Sequence, residues 1–169
     1  MKNLKKFVAL LLAGVMAMVM LTACGGGSNA ETKAKENKMI DSLKEQGVMT
    51  ASENDNTLRK KTMEILNQDI AHAKLSILGA TFMANVHVDG KTDEYLTITA
   101  TTRYEYGNIV LGLLDAIAKE VGKELPDANV DVKANGAWTD VCVVVQADGN
   151  KTYLAVAFQI RNPAHKGNK

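Results

Sequence analysis

The sequence is poor in cysteine and histidine and lacks the common catalytic motifs. Cys24 and Cys142 are its only cysteines, and His72, His87 and His165 are its only histidines. These residues do not have the spacing of metal ligands. The chain also contains no Gly-x-Ser-x-Gly, no Walker loop and no His-Glu-x-x-His motif. We therefore predict no catalytic residue, no metal site and no cofactor, and we expect the three histidines to be solvent-exposed or hydrogen-bonded.

Neither sign of charge predominates, and aromatic residues are scarce. The chain has 20 basic and 19 acidic residues among its 169, and Phe, Trp and Tyr together make up 5%. A nearly neutral chain lacks the attraction that drives binding to nucleic acid, or to a membrane through a polybasic segment. Nucleic acid is therefore excluded from the predicted partners.

Long hydrophobic runs are also absent, with one exception near the N-terminus. Lys2, Lys5 and Lys6 precede an uncharged apolar run over residues 7–21. A membrane-spanning helix needs roughly 20 apolar residues, and this shorter run leads into a Gly-rich tract rather than a cluster of charges. The order of positive, apolar and small residues is that of an export signal peptide.

The predicted signal peptide ends in a motif with a specific chemical meaning. Leu21-Thr22-Ala23-Cys24 resembles the lipobox of bacterial lipoproteins at all four positions. The resemblance implies a signal peptide of residues 1–23, cleavage before Cys24, a diacylglycerol on the Cys24 thiol and an acyl chain such as palmitate on the new N-terminus. Two acyl chains anchor a protein stably, whereas one binds only marginally. An ordinary signal peptide, with Cys24 left unmodified, is the alternative.

The resemblance implies a location on the outer face of the cell membrane, and the layout is similar to that of small lipoproteins of Gram-positive bacteria. We predict a flexible tether over residues 24–38, because this stretch is polar and has no apolar period. One domain, residues 39–163, and a tail, residues 164–169, follow. With Cys24 lipidated, Cys142 has no disulfide partner within the chain, and its apolar neighbours predict a buried strand residue.

Apolar periodicity predicts a short helix over residues 39–48 and two stronger helices. The first strong helix follows the N-cap residue types of residues 52–56 and stops by Gly79, and the second runs from about Asn108 to Val121. The apolar stripe of the first comprises Met63, Leu66, Ile70, Ala73 and Ile77. The stripe of the second comprises Val110, Leu113, Leu114, Ile117 and Val121.

Each strong helix precedes a pair of predicted strands, and the two pairs resemble each other. Residues 86–90 and 95–103 correspond to residues 145–149 and 153–161, with an Asp-Gly turn signal in each pair. We interpret the pattern as two tandem α-β-β units, residues 52–106 and 107–161, with residues 129–133 as an optional added strand. Chance similarity between two hairpins is the alternative. The predicted fold class is α+β, a mostly antiparallel sheet with two amphipathic helices on one face.

The other face of the predicted sheet provides a candidate binding surface. Its alternating threonines would form a row of hydroxyls, and nearby aromatic rings could stack on sugars. The surface comprises Thr97, Thr99, Thr101, Tyr104, Tyr106 and Trp138. The alternative is that the aromatic residues pack at the edge of the core. Ala155 and Ala157 line the same face in the second hairpin, and we expect another chain, in an oligomer, or the helix at residues 39–48 to cover them.

The implied location and the composition together predict a non-enzymatic module that is attached to the membrane through its lipid. This module would bind an envelope protein or a cell-wall polymer, or help an assembly. The alternative is a small envelope hydrolase, which requires two carboxylates facing each other roughly 5–10 Å apart. Its candidate residues are Asp89, Glu94, Asp140 and Asp148. The solute receptor of a transporter is disfavoured, because those lipoproteins resemble much longer, two-lobed proteins.

Overall fold

A computed structural model describes residues 30–51, 53–75, 85–104 and 109–165. The predicted signal peptide, the Cys24 motif, Tyr106 and Gly79 lie outside the described residues. The described part forms three helices and four strands. In chain order these are α1 (Ala30–Glu45), α2 (Asn56–Leu75), β1 (Asn85–Asp89), β2 (Tyr95–Arg103), α3 (Ile109–Glu124), β3 (Thr139–Asp148) and β4 (Lys151–Arg161).

The four strands form one antiparallel sheet in the order β1-β2-β4-β3. β2 and β4 pair at its centre, from Tyr95 opposite Arg161 to Arg103 opposite Tyr153. Each central strand also pairs with its own hairpin partner, β1 or β3. The predicted α+β class and antiparallel sheet are therefore confirmed.

Both Asp-Gly turns join neighbouring strands, as their sequence predicts. Gly90 and Gly149 have φ angles of +75° and +62°, in the left-handed region that glycine adopts most easily. At Gly90 an added Cβ atom would also lie 2.7 Å from the carbonyl oxygen of Tyr95. Any other residue at this position would therefore distort the turn between β1 and β2.

Helices cover both faces of the sheet, which corrects the prediction that both strong helices lie on one face. α1 and α3 belong to the larger core cluster, to which they contribute Leu43 and Ile117 among others. α2 lies on the opposite face, where Leu66 belongs to a second cluster with Ala155. The physical reason is that five consecutive β3 residues, 141–145, are buried. A strand buried on both sides needs cover on both sides.

The alanine-lined face is covered by α2. Ala155 and Ala157 are 0% and 1% exposed and cluster with Leu66 and Ile70 of this helix. The helix that contains residues 39–45 lies on the other face of the sheet. The prediction that this helix or another chain covers the alanines is therefore wrong, because α2 covers them.

The similarity between the two predicted units holds for the hairpins. Leu96 and Ile98 of β2 and their counterparts Leu154 and Val156 of β4 enter the same core. The helices break the correspondence, since α2 and α3 lie on opposite faces. Residues 129–133, the optional added strand, form no strand and belong to the connection between α3 and β3.

The first helix begins earlier than predicted. Residues 30–38, predicted to be part of a flexible tether, form the first half of α1 and belong to the folded domain. Their polar composition conceals two buried residues, Thr32 and Glu36. The Glu36 carboxylate accepts a hydrogen bond of 3.1 Å from the Val145 backbone N–H. The predicted short helix is therefore the C-terminal half of α1, and Gly47 follows its end in a left-handed conformation.

Candidate functional site

The predicted row of threonine hydroxyls lies mostly under α2. Thr99 and Thr101 are 2% and 0% exposed, whereas Thr97 is half-buried, with its hydroxyl oxygen 3.4 Å from the side-chain nitrogen of Gln159. Thr99 and Thr101 therefore belong to the interior. Their prediction as part of an open binding surface is corrected, because α2 covers the face that was expected to be bare.

The aromatic residues predicted for the same surface do not come together on it. Trp138 is fully buried, with its ring stacked on Phe158 at a centroid distance of 3.6 Å. Its indole N–H donates a 2.7 Å hydrogen bond to the Val132 carbonyl. Tyr104 is half-buried, and Lys35 Nζ lies 5.5 Å from its ring centroid. Trp138 is therefore a fully buried core residue, whereas the alternative interpretation expected the aromatic residues only at the edge of the core.

α2 places one buried carboxylate against the threonine face. Asp69 is 5% exposed, and its Oδ2 atom accepts a hydrogen bond from the Thr101 hydroxyl. The same oxygen lies 2.9 Å from Nε2 of His87 on β1. An ionised carboxylate can only accept, so a hydrogen bond to it requires the histidine tautomer that carries a proton on Nε2. The His87 side chain is 40% exposed, and the cluster therefore extends from the core to solvent.

The chemical capability of this cluster is limited by its hydrogen-bond pattern. A carboxylate that holds one ring nitrogen of a histidine is the positioning half of an acid–base site. Thr101, however, donates its proton to Asp69 and not to the imidazole, so the histidine does not activate the threonine as a nucleophile. The arrangement joins α2 to β1 and β2, and it bears out the expectation that His87 is hydrogen-bonded.

A second buried carboxylate joins α1, α2 and β3. Glu36 is 4% exposed, and its Oε1 atom accepts a 2.8 Å hydrogen bond from Arg59 Nη2 and one from the Val145 N–H. Its Oε2 atom accepts from Arg59 Nη1 at 3.2 Å. This hydrogen bonding raises the pKa of the Arg59 guanidinium above its ordinary value. The pair lies at the boundary of the core, because the Glu36 side chain is 5% exposed and the Arg59 side chain is 24% exposed.

Polar groups next to this ion pair cover the outer edge of β3. The Asn54 side chain donates to the Val143 carbonyl and accepts from the Val143 N–H, both at 2.7 Å. The Asp55 N–H donates to the Val141 carbonyl. Together with the Glu36 contact to Val145, these bonds occupy backbone groups that an edge strand would otherwise offer to another chain.

The carboxylates of the hydrolase hypothesis do not converge as a group. Asp89 is 3.0 Å from the Lys61 ammonium group, and Glu94 and Asp140 are exposed. Asp148 ends β3, whereas Asp140 is its second residue. Eight residue steps along the strand separate these two by about 26 Å. Asp140 and Asp148 therefore cannot act as an acid–base pair.

An open groove of about 410 Å³ lies where β4 ends, beside the connection between α3 and β3. Asp131, Arg161 and His165 contribute groups of different charge to its lining. His165 is exposed, and its Nδ1 atom lies 3.0 Å from the Thr92 carbonyl oxygen. Mixed charge of this kind does not select one ligand class, so the groove is a candidate contact surface without an assigned ligand.

Cys142 is fully buried in β3, as its apolar neighbours predict. Burial raises the pKa of its thiol to about 11, and a protonated thiol is a poor nucleophile. Within the described residues, no group of acidic, histidine or cysteine side chains is arranged to hold a metal ion. No helix of that part is long and apolar enough to cross a membrane.

Comparisons with protein-family models, curated proteins and solved structures find no match to this chain.

Proposed function

We propose that this chain is an extracytoplasmic lipoprotein of a Gram-positive bacterium, held to the outer face of the cell membrane through a lipid on Cys24. Its domain acts as a non-enzymatic binding or assembly module. The Leu21-Thr22-Ala23-Cys24 motif at the end of an export leader carries the proposal. An envelope protein or a cell-wall polymer is the partner, because a nearly neutral chain does not suit nucleic acid.

The use made of the buried polar groups favours binding over catalysis. Glu36 and Asp69 each accept hydrogen bonds from two neighbouring elements of the fold. The Cys142 thiol is buried and holds its proton to high pH. Catalysis often uses carboxylates and thiols, but these ones stabilise the packing of the fold. The exposed surface remains available for a partner.

The hydrolase alternative has less support. Its mechanism needs two carboxylates on either side of the substrate, roughly 5–10 Å apart. Asp140 and Asp148 occupy opposite ends of β3, and Asp89 is paired with Lys61. Asp89, Glu94 and Asp140 are the exposed residues among its four candidates, and Asp148 is half-buried.

The lipid anchor is tested by replacing each cysteine in turn in the full chain, expressed in a Gram-positive host. Cys24→Ala should move the protein from the membrane fraction to the medium and abolish incorporation of a labelled fatty acid. Cys142→Ala is the matched control, because this residue is buried and should leave both readouts unchanged. A Cys24→Ala protein that stays labelled in the membrane fraction would contradict the proposal.

Binding and hydrolysis are separated by incubating the released Cys24→Ala protein with purified cell wall. Sedimentation with the wall, without soluble fragments, supports a polymer-binding module. Cross-linking of the anchored protein to one defined envelope protein, with no sedimentation, supports a protein-binding module. Release of fragments that Glu94→Gln or Asp140→Asn abolishes would replace both with the hydrolase.

A further inference from the structure

Little chain separates the proposed lipid from the folded domain. α1 begins at Ala30, six residues after Cys24. Six residues span at most about 22 Å even when fully extended. α1 is firmly attached to the domain, because Thr32 and Glu36 in its first two turns are buried. The start of α1 must therefore remain close to the membrane that holds the lipid.

The contacts of α1 show which end of the sheet this is. Lys35 lies over the ring of Tyr104, at the end of β2, and the Tyr104 N–H donates to the Thr152 carbonyl near the start of β4. After α1, the Gly47 carbonyl accepts a hydrogen bond from the Gly136 N–H, just before β3 begins. α1 therefore starts at the end of the sheet where β2 ends and β4 begins.

α3 starts at the same end. It follows β2 in the chain, and Glu124 in its last turn pairs with Lys91 in the turn between β1 and β2, at the opposite end of the sheet. Its first turn carries Leu111, which is 56% exposed. Within the described residues the other exposed large hydrophobic side chain is Tyr95, which begins β2 and lies at the opposite end.

We propose that this end of the domain, here called the proximal end and defined by Lys33, Lys35, Leu111 and Lys151, lies against the lipid surface that holds the Cys24 anchor. The inference rests on the proposed lipid anchor. Leu111 is placed to enter the interfacial layer of the bilayer, as exposed apolar side chains of membrane-bound domains do. Lys33 and Lys151 are exposed at this end, and their ammonium groups are suited to anionic lipid headgroups.

This orientation determines which surface faces the envelope. The groove near Arg161 lies where β4 ends, whereas Lys151 begins the same strand. A strand of this length rises by about 33 Å. The groove therefore points away from the membrane and remains open to an envelope partner.

Tryptophan fluorescence in lipid vesicles tests the orientation. The lipidated protein is reconstituted into anionic vesicles that contain brominated lipids, which quench tryptophan at the membrane. Leu111→Trp places a reporter at the proximal end, and Thr92→Trp places one in the exposed turn at the opposite end. The native Trp138 is fully buried and provides the baseline. We expect the brominated lipids to quench the tryptophan emission of the Leu111→Trp protein below the Trp138 baseline. The Thr92→Trp protein should show only the change that Trp138 alone produces.

Each other outcome has a defined meaning. Equal quenching at both positions, or none at Leu111→Trp in protein that floats with the vesicles, overturns the orientation while the anchor stands. Protein that does not float with the vesicles overturns the anchor and the orientation together. Charge reversal in the Leu111→Trp protein tests the lysines: Lys33→Glu with Lys151→Glu should reduce its quenching, whereas the control Lys60→Glu, an exposed lysine on α2, should not.

Discussion

Two carboxylates, Glu36 and Asp69, are buried within the described part of the chain, and each connects three elements of the fold. Glu36 joins α1 to α2 and β3, and Asp69 joins α2 to β1 and β2. A buried charge is tolerated only when its partners are present, so removal of one partner costs more than the pair contributes on balance. Replacement of one partner should therefore destabilise the domain strongly, by more than the intact pair stabilises it.

Arg59→Ala should destabilise the domain by about 3 kcal/mol, because it leaves the Glu36 carboxylate buried without its counter-charge. Urea unfolding of purified protein measures the free energy. Glu31→Gln is the matched control on α1: it breaks the exposed contact with Lys35 and should leave the urea midpoint unchanged. An Arg59→Ala protein as stable as the control would show that Glu36 is hydrated or protonated in the folded state.

Cys142 should make stability fall at high pH. Burial raises the pKa of this thiol from an ordinary value of 9.0 to about 11. The folded state thus keeps the proton that the unfolded state loses, and the thiol's contribution to stability is present below pH 9 and lost as pH rises to about 11. In the Cys24→Ala protein, where Cys142 is the only thiol, reaction with a thiol reagent at pH 8 should require denaturant. Cys142→Ala should remove this part of the pH dependence of urea unfolding, and an unchanged slope would contradict the assignment.

At the scale of secondary structure elements, the two edges of the sheet differ in the polar cover that the described residues provide. β3 has ten residues, and groups from α1 and from the segment before α2 occupy its outer backbone atoms. Such cover prevents edge-to-edge association of a long strand. β1 has five residues, and shortness is itself one of the ways in which natural proteins protect an edge.

Asn54→Ala should expose the edge of β3. The substitution removes two hydrogen bonds to Val143, each worth about 1 kcal/mol, so a loss of about 2 kcal/mol is expected. The uncovered strand should also associate with a second copy, which size-exclusion chromatography at increasing concentration detects. Glu53→Ala, a neighbouring exposed position, is the control and should remain monodisperse. Lost stability without association would mean that Asn54 only stabilises the fold.

At the scale of the whole molecule, local signals in the sequence predict the hairpins and the start of α2. The Asp-Gly turns carry their own backbone requirement, and Asp55 caps α2 by accepting hydrogen bonds from the Thr57 N–H and hydroxyl. The side of the sheet on which each helix lies depends on the path of the connections, which residue patterns do not encode. Periodicity nevertheless contained a signal for the extent of α1, because Glu36 continues the stripe of Met39 and Leu43.

Polar residues inside an apolar stripe explain most of what the sequence did not predict about the candidate site. Asp69 follows Leu66 by three positions and is buried with it, but a search for apolar residues passes over a carboxylate. The sequence predicts Thr99 at the surface as part of a row of hydroxyls, and Trp138 there as a ring that could stack on a sugar. Their burial follows from α2 covering one face of the sheet and from the Val132 carbonyl that accepts the indole proton.

Deletions test whether residues 30–38 are a flexible tether or a part of the folded domain. In the Cys24→Ala protein, deletion of residues 30–38 should reduce stability by more than about 3 kcal/mol, because it removes Glu36 and leaves Arg59 without its partner. Deletion of residues 25–29 should leave the urea midpoint unchanged. If residues 30–38 were only a tether, both deletions would be neutral. Glu36→Gln in the undeleted chain separates the lost ion pair from the lost helix, since it removes the charge while α1 and its apolar contacts through Met39 and Leu43 remain.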